Sequence, residues 1–333
     1  MTALVTGGAG FLGRHVVAAL LASGESVRVL DLRENAELPP EVDLRLGSVT
    51  DPEAVAQAMQ GVRRVFHLAA IPELWVKDKA VFDRVNHRGT RVVLEAARDL
   101  RNLETFVHTS SEVVLVARRG LPLPEKLDEA VQLEPEEVIG PYARSKRRAE
   151  LAVLEAAREG LPAKVVIPTM PMGPGDTSST PPTRMLADLL AGRTPAYAEV
   201  MLNIVDARDA AAGHLLTAER GQAGARYLLS GHNRTMSALL RDLAPLVEQA
   251  MPRRRVPLLL ARWFSVLEQS VSDRITGIPP TAPRDGVEIA CQQRPFENAL
   301  AVRELGFAVR PLKETLADAV NWLAVRAKDA NAL

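Results

Sequence analysis

At 333 residues, 47% apolar and 25% charged, the chain has the composition of a globular protein with a large core, built as one large domain or two unequal ones. Lys plus Arg (41) balance Asp plus Glu (41), so no basic surface advertises nucleic acid, and the single Cys291 excludes an intramolecular disulfide. The longest apolar runs fall far short of the roughly 20 residues of a membrane span, and a first strand starting at residue 2 or 3 leaves no room for a signal peptide, which points to the cytoplasm.

Residues 3–5 are apolar and end in Thr6-Gly7-Gly8-Ala9-Gly10-Phe11-Leu12-Gly13, with an amphipathic stretch over 15–21. This reads as a buried strand, a glycine turn and a helix start. It satisfies both GxGxxG (Gly8, Gly10, Gly13) and TGxxGxxG, a geometry in which backbone and helix N-terminus meet a pyrophosphate. A second strand, 26–30, ends in Asp31, where a carboxylate can accept hydrogen bonds from both adenosine ribose hydroxyls. Arg33 is placed for a 2′-phosphate that Asp31 would repel, so NAD is favoured over NADP. A strand over 43–46 follows. Thr50-Asp51-Pro52-Glu53 is a capping box with Pro at N1, starting a helix towards Gln60. The strand 64–68 ends in Ala69-Ala70, small residues that either leave space for a ligand or pack tightly.

A helical stretch over about 79–100 contains Asn86 and Gly89, which cost helix stability unless something uses them. The strand 105–108 delivers Thr109, Ser110 and Ser111, hydroxyls that serve as turn caps or substrate contacts. Residues 120–137 read as loop. Gly140-Pro141-Tyr142 opens a helix to about Arg158 in which Tyr142 and Lys146 share a face, and an ammonium beside a phenol lowers its pKa from about 10. That makes Tyr142 a proton donor or acceptor for a carbinol or carbonyl oxygen. After a strand over 163–167 the pattern changes to a smaller lobe, with helices expected over 183–191, 207–219, 236–250 and 257–276 and a strand over 226–229. Arg253-Arg254-Arg255 reads as a solvated helix end. The stripe Leu258, Ala261, Trp263, Phe264, Leu267 and Val271 reads as core, or else as the lining of an apolar pocket.

Taken in order, the glycine turn, Asp31, His67-Leu68-Ala69-Ala70, Asn86 with Gly89-Thr90, Thr109-Ser110-Ser111, Tyr142 with Lys146 and Gly173-Pro174-Gly175 resemble the extended short-chain dehydrogenase/reductase superfamily, the NAD-dependent epimerase/dehydratase family. Residues 205–210, 296–299, 304–307 and Pro311-Leu312 carry the likeness over nearly the whole chain. Leu74-Trp75 and residues 181–184, 195–197 and 203–206 are most similar to the branch of dihydroflavonol reductases, hopanoid-associated sugar epimerases and 3β-hydroxysteroid dehydrogenases.

The resemblance implies an α/β fold: a Rossmann-type doubly wound parallel sheet for NAD over residues 1–175, with contributions from about 203–230, and a smaller mixed α/β C-terminal lobe, 176–333, mainly for the substrate. The cofactor is expected along Gly7, Gly10, Phe11, Leu12 and Gly13; along Asp31, Leu32, Arg33, Ser48 and Val49; along Leu68, Ala69, Ala70 and Asn86; and along Thr109, Ser110, Tyr142, Lys146 and Pro168. Tyr142 is implied as acid/base, Lys146 on the nicotinamide ribose, and Ser111, better placed than Ser110, as the group orienting the substrate oxygen. Substrate contacts are expected from Pro72, Trp75, Ser111, Met170, Pro171, Met172 and Asn203, with no metal ligand and with a homodimer through the helices containing 86–100 and 142–158. Ser48 stands where many relatives carry an Asp. Met201 and Leu202 stand where nucleotide-sugar epimerases carry Arg-Asp, leaving only His232 and Arg234 as cations for a diphosphate. The implied activity is therefore hydride transfer on a secondary alcohol or ketone of a moderately apolar small molecule. The alternatives are a sugar epimerase or dehydratase that recycles its NAD, and a non-catalytic dinucleotide sensor.

Overall fold

A computed structural model describes residues 2–35 and 37–331. Its strands are β1 (Thr2–Thr6), β2 (Ser26–Asp31), β3 (Asp43–Leu46), β4 (Arg64–His67), β5 (Thr105–Thr109), β6 (Ala163–Pro168), β7 (Met170–Met172), β8 (Ala196–Ala198), β9 (Met201–Asp206), β10 (Arg226–Leu229), β11 (His232–Thr235) and β12 (Arg254–Val256). Seven of them form one parallel sheet in the order β10-β6-β5-β4-β1-β2-β3. The order reverses between β1 and β4, and at such a switch the connections diverge and open a crevice outside the strands' carboxyl ends.

The helices are α1 (Phe11–Ala22), α2 (Pro52–Met59), α3 (Ala80–Phe82), α4 (Thr90–Arg98), α5 (Gly140–Arg158), α6 (Pro181–Leu190), α7 (Ala207–Arg220), α8 (Met236–Leu243), α9 (Leu258–Val271), α10 (Arg284–Gln292), α11 (Ala299–Leu305) and α12 (Leu312–Asn331). Strand periodicity decides which helix meets which residue. Ala3 and Val5 point to one face, where α1, α7 and α11 bring Val17, Leu20, Ala211 and Leu305. Leu4 points to the other, with Val55, Met59, Val93 and Val153 of α2, α4 and α5. Helices on both faces explain why these strands read as unbroken apolar runs rather than alternating ones. Each fully buried Leu or Val contributes about 1.5–3 kcal/mol. A third cluster, around Met172, Leu189, Ile204, Leu240 and Leu316, is the core of the second lobe, beneath the mixed sheet β11-β9-β7.

Several expectations need correction. The cap of α2 is Asp51, not Thr50: its carboxylate accepts from the N–H groups of Glu53 (3.0 Å) and Ala54 (3.4 Å), with Pro52 the first helical residue. The stretch around Asn86 is a π-helical segment, Asp83–Gly89, between α3 and α4. The helix expected to reach residue 250 ends at Leu243 and tightens into a 3₁₀ turn containing Pro245, which has no N–H to continue the ladder. Arg254 and Arg255 lie in a strand, paired with β8, rather than at a helix end. The α9 stripe is not core, since Trp263 is 69% and Leu267 66% exposed. The strands β7, β8, β9 and β11 and the helices α10–α12 were not legible by periodicity. Among the described residues, no helix is long and apolar enough to cross a membrane.

Candidate active site

The glycines divide into two kinds. Gly7 has φ +71°, and a Cβ there would lie 2.7 Å from the Ala69 nitrogen; one on Gly13 would strike the Gly7 carbonyl. These two allow turn, strand end and helix to pack. Gly10 caps α1 without a side-chain hydrogen bond, and a Cβ on it would meet only the Gly7 oxygen, at 3.3 Å, so this side of the turn stays open. Asp31 ends β2 beside it, accepting from the backbone N–H of Ala9 (3.0 Å) and of Leu32 (2.7 Å), while Asn35 donates to the Ala9 carbonyl (2.8 Å).

A buried chain of hydrogen bonds ties this turn to the neighbouring strand end. Thr90 donates its hydroxyl proton to the Asn86 carbonyl (2.6 Å), so at His67 it accepts from Nε2–H (2.9 Å). His67 Nδ1 then accepts from the Thr6 hydroxyl (2.7 Å), which in turn accepts from the Ala69 N–H (3.3 Å). Proton counting thus fixes the neutral Nε2–H tautomer, in accord with burial and Lys146 pushing the His67 pKa down to about 3. Asn86 is the next link: it clamps the Ile71 backbone (N–H to Oδ1, 2.7 Å) and donates to Ser145 on α5 (3.0 Å).

Through that clamp, α5 presents Tyr142 and Lys146 at the carboxyl end of β5. Ser110 donates to the buried Glu150 (2.5 Å), which also pairs with Arg147 (2.7 Å) and Arg226 (2.8 Å), so its hydroxyl is committed away from Tyr142. Ser111 is the hydroxyl that acts on the Tyr142 phenol, lowering its pKa. Burial outweighs that pull, aided by the charges of Glu112 and Glu73, and pushes Tyr142 up to about 12. The expected lowering by Lys146 is not what this structure has: Lys146 Nζ donates to the Thr109 carbonyl (2.5 Å), and burial brings its own pKa down to about 8. Sequence reasoning missed Glu112. It follows Ser111 at the strand end, accepts from Gln293 (3.2 Å), and burial raises it to about 8. An acid opening the apolar run 112–116 was the available signal.

These groups line a cavity of about 1640 Å³, larger than the roughly 300–1,000 Å³ of a single-ligand pocket. Its wall gathers the expected residues of the glycine turn, Asp31 to Arg33, Ser48, Val49, 68–70, 109–111, Tyr142, Lys146 and Pro168, and also Pro72, Met170 and Pro171. Four expected residues are not on it. Asn86 is the buried clamp; Trp75 is buried, donating to Asp273 (2.7 Å); Met172 is in the second core; and Asn203 bonds Thr169 (2.7 Å), Asn233 (2.8 Å) and the Gly231 backbone. From Pro168 to Gln293 the wall carries no charged side chain. His232 and Arg234 are also off it, bonded to the Arg310 carbonyl and to Asp242. Among the described residues no cluster of His, Cys, Asp or Glu is set for a metal.

Comparison with known proteins gives one family match: residues 3–229 fit the model described as the NAD dependent epimerase/dehydratase family. A dihydroflavonol 4-reductase-like protein of Synechocystis sp. is 36% identical over 326 residues, covering 96% of this chain and 93% of the relative. Sterol demethylase protein B of Methylococcus capsulatus is 30% identical, covering 98% and 99%. The crystal structure of gox2253 superposes with a TM-score of 0.83 at 34% identity, covering 98% and 99%.

Proposed function

The chain belongs to the NAD dependent epimerase/dehydratase family, an extended short-chain dehydrogenase/reductase enzyme, and from that premise we propose that it transfers hydride between nicotinamide and a secondary alcohol or ketone of a moderately apolar small molecule. The observation that carries this reading is the uncharged wall from Pro168 to Gln293. A sugar nucleotide brings a diphosphate that calls for cationic partners, and the second half of the cavity offers none.

The first half fits a dinucleotide: Gly10 leaves its side of the turn open, the opening N–H groups of α1 carry no side-chain cap, and Asp31 stands at the end of β2. On that fit the turn Gly10–Gly13 holds the pyrophosphate, Asp31 the adenosine ribose and Lys146 the nicotinamide ribose. The charge of Asp31 opposes a 2′-phosphate, so NAD is preferred over NADP. NAD, when bound, accepts or supplies the hydride. Tyr142, with a pKa near 12, is protonated at neutral pH and set to donate to a carbonyl oxygen that Ser111 orients; in the reverse direction the same oxygen takes the carbinol proton. The same reading assigns residues 1–175, with about 203–230, to the cofactor and the rest of 176–333 to the substrate, in a cytoplasmic homodimer.

The test is to titrate NAD and NADP, then to follow NADH absorbance with apolar ketones, alcohols and sugar nucleotides. NADH consumed by an apolar ketone is the expected result. An isomerised or dehydrated sugar nucleotide with no net NADH change would overturn it in favour of an epimerase.

A further inference from the structure

Helix α9 is built with its apolar side outward. At about 100° per residue, Leu259, Leu260, Trp263, Phe264 and Leu267 fall within an arc of roughly 140°, and each is between 58% and 69% exposed. Ile275 and Ile278, 78% and 66% exposed, prolong the face. Polar contacts fix the opposite side. Arg262 pairs with Glu288 (2.9 Å), Glu268 accepts from the N–H groups of Thr281 (2.7 Å) and Ala282 (3.0 Å), and Gln269 accepts from the Arg284 N–H (2.9 Å). The helix is therefore held in this orientation by satisfied bonds, at the cost of leaving large apolar side chains in water.

Two further observations say what covers this face. The exposed charged side chains of residues 251–280 are Arg253, Arg254, Arg255, Arg274 and Asp273. Asp273 is bonded to Lys79 and Trp75, whereas the four arginines have no ion-pair partner among the described residues. Within this segment every exposed charge without an ion-pair partner is thus positive, with Glu199 the acid that feels Arg255, and that excess disfavours a second copy laid on the face and attracts an anionic surface. The face also runs into the cavity, because Leu260 and Phe264 belong to both and Leu258 and Ala261 continue inward.

We propose that α9 and the segment after it dock the protein on an anionic lipid bilayer. The helix lies in the plane of the interface, with its apolar face among the acyl chains and Arg253, Arg254, Arg255 and Arg274 at the phosphates. This places the cavity mouth at the bilayer, and it does not depend on the chemistry assigned to Tyr142.

The test is co-sedimentation of the full chain with phosphatidylcholine vesicles, with and without phosphatidylglycerol. Binding is expected to the anionic vesicles and to weaken with salt. Arg254→Gln with Arg255→Gln lowers it about 30-fold, from about 1 kcal/mol per arginine. Leu259→Gln with Trp263→Gln lowers it about tenfold or more, and an unchanged thermal midpoint shows that the variants fold. Trp75 is buried, so quenching of tryptophan emission by brominated acyl chains that is lost in Trp263→Phe reports Trp263 at the acyl chains. Absence of binding to anionic vesicles overturns the proposal, as does binding that both variants retain. Self-association abolished by Leu259→Gln with Trp263→Gln, without vesicle binding, would instead give the face to a second copy.

Discussion

The two halves of the cavity wall are made in different ways. Before Pro168 the wall is backed by buried side chains fixed by hydrogen bonds of definite geometry: Thr6 to His67 to Thr90, Asn86 to Ile71 and Ser145, Ser110 to Glu150. After Pro168 it is uncharged, with apolar side chains such as Met170, Met185, Leu202 and Phe264 held by packing among hydroxyls such as those of Thr180 and Thr281. A hydrogen-bonded wall admits few replacements at each position, because a lost partner strands a buried polar group. A packed wall accepts many residues of suitable volume. On the proposed function chemistry belongs to the first half and selectivity to the second, and substitutions should separate the two.

The largest separation is expected at Tyr142. Tyr142→Phe lowers turnover about 100-fold or more while the NAD dissociation constant is unchanged, as single-turnover kinetics and a binding titration would show; undiminished turnover removes Tyr142 from the reaction. Asn86→Ala leaves the Ile71 N–H and Ser145 without their partner, and urea unfolding should show about 1–3 kcal/mol of lost stability. That residue never touches the cavity, so the loss measures the scaffold rather than the ligand. Asp31→Ala should weaken NAD about tenfold, the scale of a charge-assisted hydrogen bond, and narrow the preference over NADP. Met170→Ala, on the packed side, should raise KM a few-fold for an apolar substrate with kcat nearly constant, because it removes apolar contact made equally in ground and transition states.

A pH-dependent effect tests the acid between the halves. Burial raises Glu112 from 4.5 to about 8, so its carboxyl form is favoured in the folded protein. The corresponding stability is present below about pH 4.5 and is lost as pH rises through about 8. Glu112→Gln should flatten that decline, and its thermal midpoint should exceed that of the unaltered protein above pH 8; parallel pH profiles would show that Glu112 titrates normally.

This difference between the halves also decided what could be read in advance. The strands of the main sheet and the turn after β1 were legible because strand runs and glycine positions each follow from one local rule. Trp75 and Asn203 sit next to wall residues in sequence yet turn inward, to Asp273 and to Asn233, partners far away along the chain. The α9 stripe has the spacing of a core helix, and only the polar contacts on its other face, to residues 281–288, turn it outward. Periodicity finds an apolar face; it cannot say what the face meets. The pKa order of Tyr142 and Lys146 was equally out of reach, because it depends on the burial of both groups rather than on their separation of four.

The place of β10 at the edge of the main sheet constrains how such a protein can be made or rebuilt. The chain leaves the sheet after β6, contributes β7 to β9 elsewhere, and returns only at Arg226–Leu229 to pair with β6. α11, later still, covers the same face. A ribosome must therefore release residues through about 305 before the first core is closed, and a fragment cut at residue 175 lacks an edge strand and two covering helices. Grafting a new second lobe onto this scaffold requires exchanging three separate blocks, one before α7, one between β10 and α11 and one after α11, rather than a single tail.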